Sequence, residues 1–283
     1  MSATIGARRD PRITFGVAVL AVLVLGAALG PALAGGAAGL GDIAARRFTA
    51  PIGRTPDGVL HLLGTDRFGR DLLVRLLAGA RVSLAVGVLA ALVASGIGVL
   101  LGAVAGYAGR ATDRIISTLT DAALAIPRVP LLLLLVALFQ PGLVITVLAI
   151  GLTGWMSVAR LVRAEVRTVR QRLFVEAAHA LGAPAPLVVV RHVLPHAAAP
   201  ALVATALGVG NAIMLEAGLS FLGLGVQPPT ASWGNMIAAG KDALVVAPWV
   251  ALAPAVLVAL VVLACSLLAD SLESRLAGET VSG

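Results

Sequence analysis

Residues 160–200 read RLVRAEVRTVRQRLFVEAAHALGAPAPLVVVRHVLPHAAAP. The stretch carries Arg160, Arg163, Arg167, Arg170, Arg172 and Arg191 in a chain that is otherwise strongly apolar. A guanidinium at the centre of a bilayer costs about 3 kcal/mol, so a segment this charged lies outside the hydrocarbon. Arg160, Arg163, Arg167 and Arg170 are spaced three, four and three apart, one stripe of a helix. The spacing predicts a membrane helix that continues past its bilayer end and then folds into a polar hairpin.

The surrounding composition supports a membrane setting. Of 283 residues, 59% are hydrophobic and 12% charged, and the mean hydropathy is +1.01. A soluble domain of this size needs more polar surface than that. The net charge of +7 does not point to nucleic acid, because the basic residues sit beside apolar runs, where they set topology and meet anionic headgroups. Aromatic residues make up only 4%, and the apolar runs are continuous rather than alternating, which excludes a β-barrel. The single cysteine, Cys265, excludes an internal disulfide and a multi-cysteine metal site.

Taken in order, the runs predict six spans. Residues 13–33 are long enough to cross and are read as an uncleaved anchor, although Ala32-Leu33-Ala34 also resembles a signal-peptide cleavage site. Residues 1–34 thus form a cytoplasmic tail and first helix, and 35–80 an extracytoplasmic segment. Within the latter, 66–80 has helical period, with Phe68, Leu72, Leu73, Leu76 and Leu77 on one face. That pattern fits an amphipathic helix in the membrane interface, or a soluble helix packed on a partner loop. Residues 82–104 form a second span, with Gly98, Gly102 and Gly106 as a small-residue face for close helix approach. Residues 107–114 are an inside turn. Residues 115–139 are a third span, expected to kink at Pro127 and Pro130. Arg128 falls within it, so either the span begins later or Arg128 faces a wet interior. Spans four (143–158), five (200–219) and six (248–268) follow, with 220–247 a polar loop and 276–283 a cytoplasmic tail. Inside segments then hold twelve arginines against seven in the long outside segment, Arg128 set aside, and both termini are cytoplasmic.

Chemistry is mostly absent. There is no phosphate loop, Lys241 being the only lysine, and no HExxH or GxSxG motif. His192 and His196 are four apart, but Pro195 lies between them and no third ligand is evident. Three polar residues near spans are candidates for a translocation path: Asp121, Asn211 and Glu216. Asp121 is also placed to be solvated or to pair with Arg110 or Arg114. Glu216 faces either a pore or the interface. The bare middles of most spans favour a conduit over an enzyme.

Glu176-Ala177-Ala178, three residues, Gly182, nine residues, then His192-Val193-Leu194-Pro195 resembles the EAA signature of permease subunits of binding-protein-dependent ABC importers, with His192 where Ile is usual. His61 to Asp71 (HLLGTDRFGRD), Gly79 to Leu84 (GARVSL), Gly106-Tyr107-Ala108-Gly109, Leu219 to Pro229 (LSFLGLGVQPP) and Ser232 to Met236 (SWGNM) are similar to stretches of the C-type dipeptide/oligopeptide subfamily. The resemblance implies an all-α membrane protein. A five-helix permease core (81–275) would follow the anchor helix and carry a cytoplasmic coupling helix in the EAA loop, 165–196. It also implies a heterodimer with a second permease subunit, two ATP-binding subunits that hold ATP and magnesium, and an extracytoplasmic substrate-binding protein. The substrates would be di- and oligopeptides, with nickel complexes and glutathione carried by close relatives. Glu176, Ala177, Ala178, Gly182, Ala183, Pro184, Leu194 and Pro195 would shape or seat the coupling element. Glu176 would pair with a basic residue of the ATPase or cap its own helix.

Overall fold

The computed structural model describes residues 11–34 and 43–281, with side chains over 11–30 and 45–275. The helices are α1 (Pro11–Ala34), α2 (Ile43–Arg46), α3 (Leu72–Tyr107), α4 (Arg110–Ala125), α5 (Arg128–Leu138), α6 (Leu143–Leu152), α7 (Trp155–Arg170), α8 (Leu173–Ala180), α9 (Ala185–Val188), α10 (Leu194–Phe221), α11 (Trp233–Gly240) and α12 (Trp249–Val281). A two-residue hairpin, β1 (Gly53–Arg54) with β2 (Leu60–His61), lies between α2 and α3. Among the described residues five helical runs are long and apolar enough to cross a membrane, in α1, α3, α6–α7, α9–α10 and α12; counting α4 with α5 makes six.

The expected third span is not one kinked helix but two helices bent by 85°. The break sits at Ile126, whose ψ of 123° is extended. Pro127 forces this: its ring disfavours the helical conformation of the residue before it, and it has no N–H to donate. The fourth span also breaks, at Thr153 and Gly154, and resumes as α7. The fifth is longer than expected. No gap separates the second hairpin helix from the span; Ala185–Phe221 is one helical run with a π-helical turn at Val189–Val193.

The amphipathic interface helix over 66–80 is corrected. The helix starts at Leu72, capped by Asp71 Oδ1 accepting from the Val74 amide at 3.0 Å, and runs unbroken to Tyr107. Upstream, Asp66 Oδ1 accepts the amides of Phe68 and Arg70 at 2.8 and 3.0 Å, which curls the chain into a turn rather than a helix. Asp66 also holds Arg70 and Arg75, and His61 Nδ1 meets Asp71 Oδ2 at 2.6 Å. The apolar period seen there belongs to the first turns of α3. Leu72 and Leu76 face the protein core, not lipid.

Helix α3 is the centre of the molecule. Gly98, Gly102 and Gly106 lie directly on α7, so close that a Cβ at Gly102 would stand 2.6 Å from the Ala159 carbonyl. Opposite them Val158, Val162 and Val166 pack in a buried cluster that continues through Val169, Val175, Val188 and Val193. On its other side, α3 meets α1, where Gly26 and Gly30 approach Leu77, and α10, where Gly87 approaches Ile213. Small residues allow this because helices in lipid are held by close van der Waals contact rather than by a hydrophobic driving force. The inside turn expected over 107–114 shrinks to Ala108 and Gly109.

Candidate functional site

The hairpin between α7 and α10 stands on the valine spine. Val175 of α8 and Val188 of α9 are fully buried, anchoring both limbs. Helix α8 closes at Gly182, where φ is +82° and a left-handed residue is required. The amide of Ala183 returns to the Ala178 carbonyl at 3.1 Å, and that of Gly182 to His179 at 2.9 Å, satisfying the last carbonyls of α8. Pro184 then opens α9 with an extended backbone. The outward surface is apolar at the tip: Leu181 is 88% exposed and Leu173 82%. Glu176 and Ala177 are exposed, and Ala178 and Ala183 half-buried. Leu194 packs against the valine cluster, while Pro195 is exposed one residue into α10. Sequence reasoning grouped these eight residues; in the fold five are exposed and Ala178, Ala183 and Leu194 are half-buried against the valine root. His192 and His196 lie against the Phe174 ring, with centroids 6.4 and 5.3 Å away, and among the described residues no metal-binding cluster is formed.

Two contacts reach the end of α3, one from the hairpin and one from the last residue of α7. Tyr107 Oη lies 2.8 Å from His179 Nε2, and Arg170 donates to the Tyr107 carbonyl at 3.0 Å. The arginine stripe is used up in the same way. Arg160 pairs with Asp121 at 2.7 Å, and Arg163 and Arg167 both hold Asp113. The stripe therefore clamps α4 to α7 instead of simply marking headgroup depth. Asp121 meets neither Arg110 nor Arg114. Asp113, which sequence reasoning passed over, is the centre of the clamp. Its partners lie some fifty residues away on another helix, so spacing alone carried no signal.

Of the three path candidates, only Asn211 faces a sizeable open recess. That recess, about 360 Å³, is lined by Asn211, Thr205, Ser157 and Arg128. Arg128 resolves its open reading as well: it opens α5 after the break and donates to the Ile150 carbonyl at 3.0 Å, at the last turn of α6. A cation there satisfies a carbonyl freed by the end of α6 and complements that helix terminus. Asp121 lines a separate, small recess with Arg160.

Glu216 is corrected most sharply: it reaches neither a pore nor the interface. It is 0% exposed. Ser220 donates to Oε1 at 2.7 Å and Ser83 of α3 to Oε2 at 3.2 Å. Each serine oxygen also accepts a backbone amide, Val226 for Ser220 at 3.2 Å and Trp233 for Ser83 at 3.0 Å. One carboxyl group thus joins α3, α10, the 222–232 turn and the start of α11. Helix α11 was expected to be loop. Its signal was Ser232 with Asn235, a reciprocal capping box, and its Trp233 is fully buried with Nε1 donating to the Leu76 carbonyl at 3.0 Å. Replacing Glu216 by Ala leaves two buried hydroxyl donors without acceptors and a cavity in their midst. The expected loss is about 2–4 kcal/mol. Thermal unfolding in detergent checks it, with Glu216→Gln, which keeps an acceptor, expected to lose much less.

Residues 98–278 match the family described as binding-protein-dependent transport system inner membrane component. The chain is 40% identical over 216 residues to the dipeptide transport system permease protein DppC of Alkalihalophilus pseudofirmus, covering 76% of this chain and 71% of that one. It is 38% identical over 216 residues to the oligopeptide permease OppC of Bacillus subtilis, with the same two coverages. It is also 38% identical over 216 residues to the glutathione transport permease GsiD of Pectobacterium atrosepticum, covering 76% and 72%. Among solved structures, a chain of the inward-facing MetNI methionine ABC transporter superposes with a TM-score of 0.58 at 19% identity, covering 72% of this chain and 96% of that one. That likeness shows the shared fold: an all-α, multi-pass membrane permease core.

Proposed function

Since the chain belongs to the family of binding-protein-dependent transport system inner membrane components, we propose that it is one half of the translocation path of an ATP-driven peptide importer, driven through the α8–α9 hairpin. The observation that carries the coupling role is the hairpin itself: an exposed apolar tip at Leu173 and Leu181 on a root of fully buried valines. A force on the tip would pass into the spans, because α9 continues through a π-helical turn into α10 and α7 is packed glycine-to-valine on α3. The chain has no phosphate loop, so energy enters from outside it. Two ATPase subunits would seat on the two hairpins of a permease heterodimer, Glu176 meeting a basic groove residue. Their closure would rock the helices between inward-open and outward-open arrangements. ATP and magnesium would be held by those subunits. An extracytoplasmic binding protein would deliver substrate on the side of β1–β2. The hairpin and both termini would be cytoplasmic, in accord with the arginine-rich end of α7.

Peptide substrates are supported by the names of the dipeptide and oligopeptide relatives, and glutathione, itself a tripeptide, by GsiD. The Asn211–Arg128 recess is the proposed part of the path in this half. The test is uptake by vesicles holding the whole importer. Labelled di- and oligopeptides are expected to accumulate only with ATP, binding protein and this chain all present. Accumulation of glutathione or a nickel chelate in place of peptides would overturn the substrate reading, and uptake independent of the ATPases would overturn the mechanism.

A further inference from the structure

The recess of about 360 Å³ beside α10 has a single charged group in its wall, Arg128. Its other polar side chains are Asn211, Thr205 and Ser157, and the remaining lining is apolar or glycine. Ala90, Ala91 and Ala94 of that wall lie half-way along α3, so the recess opens between the spans and not at their ends. Both broken spans meet here. The bend between α4 and α5 supplies Arg128, and the junction of α6 with α7 supplies Ile150 and Gly154. Membrane transporters commonly form ligand contacts at such interrupted helices.

The guanidinium is held in place but not neutralised. Its Nη2 donates to the Ile150 carbonyl at 3.0 Å, and its Nε reaches Thr153 Oγ1 at 3.4 Å. Gly154 leaves space for it: a Cβ there would stand 2.9 Å from Arg128 Nη2. A guanidinium has five N–H donors, and those not turned to α6 remain for an occupant. Among the described residues Arg128 makes no ion pair, and Asn211 and Ser157, both exposed, make no side-chain hydrogen bond. A fixed cation among apolar spans, facing open space, calls for an anion. A guanidinium fork fits a carboxylate best, through parallel N–H donors. An unmodified peptide always carries one carboxylate whatever its side chains, the one at its C-terminus.

We propose that Arg128 binds the C-terminal carboxylate of the passing peptide, with Asn211 and Ser157 as neutral hydrogen-bonding partners, and so favours free-acid peptides over their amides. The inference rests on reading the chain as part of a peptide importer. It makes Arg128 a specificity determinant as well as a partner for the end of α6.

Uptake of trialanine and of trialanine amide by vesicles holding the whole importer tests it, with the binding protein loaded to the same measured occupancy by either peptide. The free acid is expected to enter roughly tenfold faster than the amide, the worth of one charged hydrogen bond. Arg128→Gln should remove that preference by slowing the acid and not the amide, and Arg128→Lys, which keeps the charge, should retain most of it. A purely structural role for Arg128 would slow both peptides alike, and selection by the binding protein alone would leave their ratio unmoved; either outcome overturns the proposal. Asn211→Asp keeps the answer open to test if Arg128→Gln fails to insert. It brings a competing carboxylate into the recess with the Ile150 contact intact, and should also abolish the preference. An amidated peptide with one glutamate side chain that enters as fast as trialanine would make any carboxylate the ligand and overturn the C-terminal assignment. Absence of all ATP-driven peptide uptake would overturn the importer reading and this inference with it, whereas uptake with an unmoved ratio overturns only the role of Arg128.

Discussion

Gly182→Val is expected to reduce ATP-driven uptake by the reconstituted importer about tenfold, with the protein still inserted and folded. The residue closes α8 at φ +82°, and a Cβ there would meet no atom within 4 Å. Its constraint is therefore conformational, not steric crowding. A non-glycine residue pays about 1–2 kcal/mol in the left-handed region, and a β-branched one is at the upper end. That shifts the ratio of closed to open turns about tenfold towards the open form. When the turn opens, the returns from Ala183 to Ala178 and from Gly182 to His179 are lost, and the Leu181 tip moves relative to α9. The buried root is untouched, which is why Tm should barely change. Gly182→Asn is the discriminating control, because Asn adopts the left-handed conformation readily, and it should retain most of the activity. Equal loss in both variants would mean that the side chain at the tip, and not the turn, is what the ATPase senses. Full activity in Gly182→Val would sink the coupling role of the turn.

Gly102→Val should strongly destabilise the folded protein. A Cβ at this position would lie 2.6 Å from the Ala159 carbonyl, 2.9 Å from Val162 Cβ and 3.1 Å from the Arg163 amide. Two of these neighbours are backbone, so no rotamer change relieves them. Helices α3 and α7 must separate, and with them the valine cluster and the Arg163–Asp113 pair one turn away. Overpacking of this kind costs about 1–3 kcal/mol, and occasionally more where the neighbours cannot move. The expected outcome is a Tm lower by several degrees, or failure to accumulate in the membrane. Gly96→Val, on the same helix with nothing within 4 Å of its Cβ, should be tolerated. If Gly102→Val is as stable as Gly96→Val, the close α3–α7 approach is not a determinant of the fold.

Both expectations began in the sequence. The apolar runs, the glycines spaced by four at 98, 102 and 106, and the charged stretch over 160–200 were enough to give an all-α membrane protein interrupted by a charged hairpin. These are local properties. Hydropathy over a span, small residues on one face and a glycine between two short helices each act through their own backbone or immediate solvent. The bend at Pro127 was legible for the same reason, in place though not in size.

What only the tertiary structure decided involves residues far apart in the chain. Ser83 and Trp233 are separated by 150 positions, yet both are organised by Glu216, and so a carboxylate that looked like a pore or interface residue is a buried junction. Asp113 and the arginine stripe likewise meet across helices, turning apparent headgroup anchors into a clamp on α4. The opening stretch over 160–200 folds as the end of α7, a short helical hairpin and the start of α10. Packing assigns its parts: Val175 and Val188 are its root, Leu173 and Leu181 its face, and Gly182 its turn. Sequence fixes which groups must leave lipid and where the backbone must turn, because those costs are paid residue by residue. Which partner satisfies a buried charge depends on which helices touch, and that is set by the whole fold.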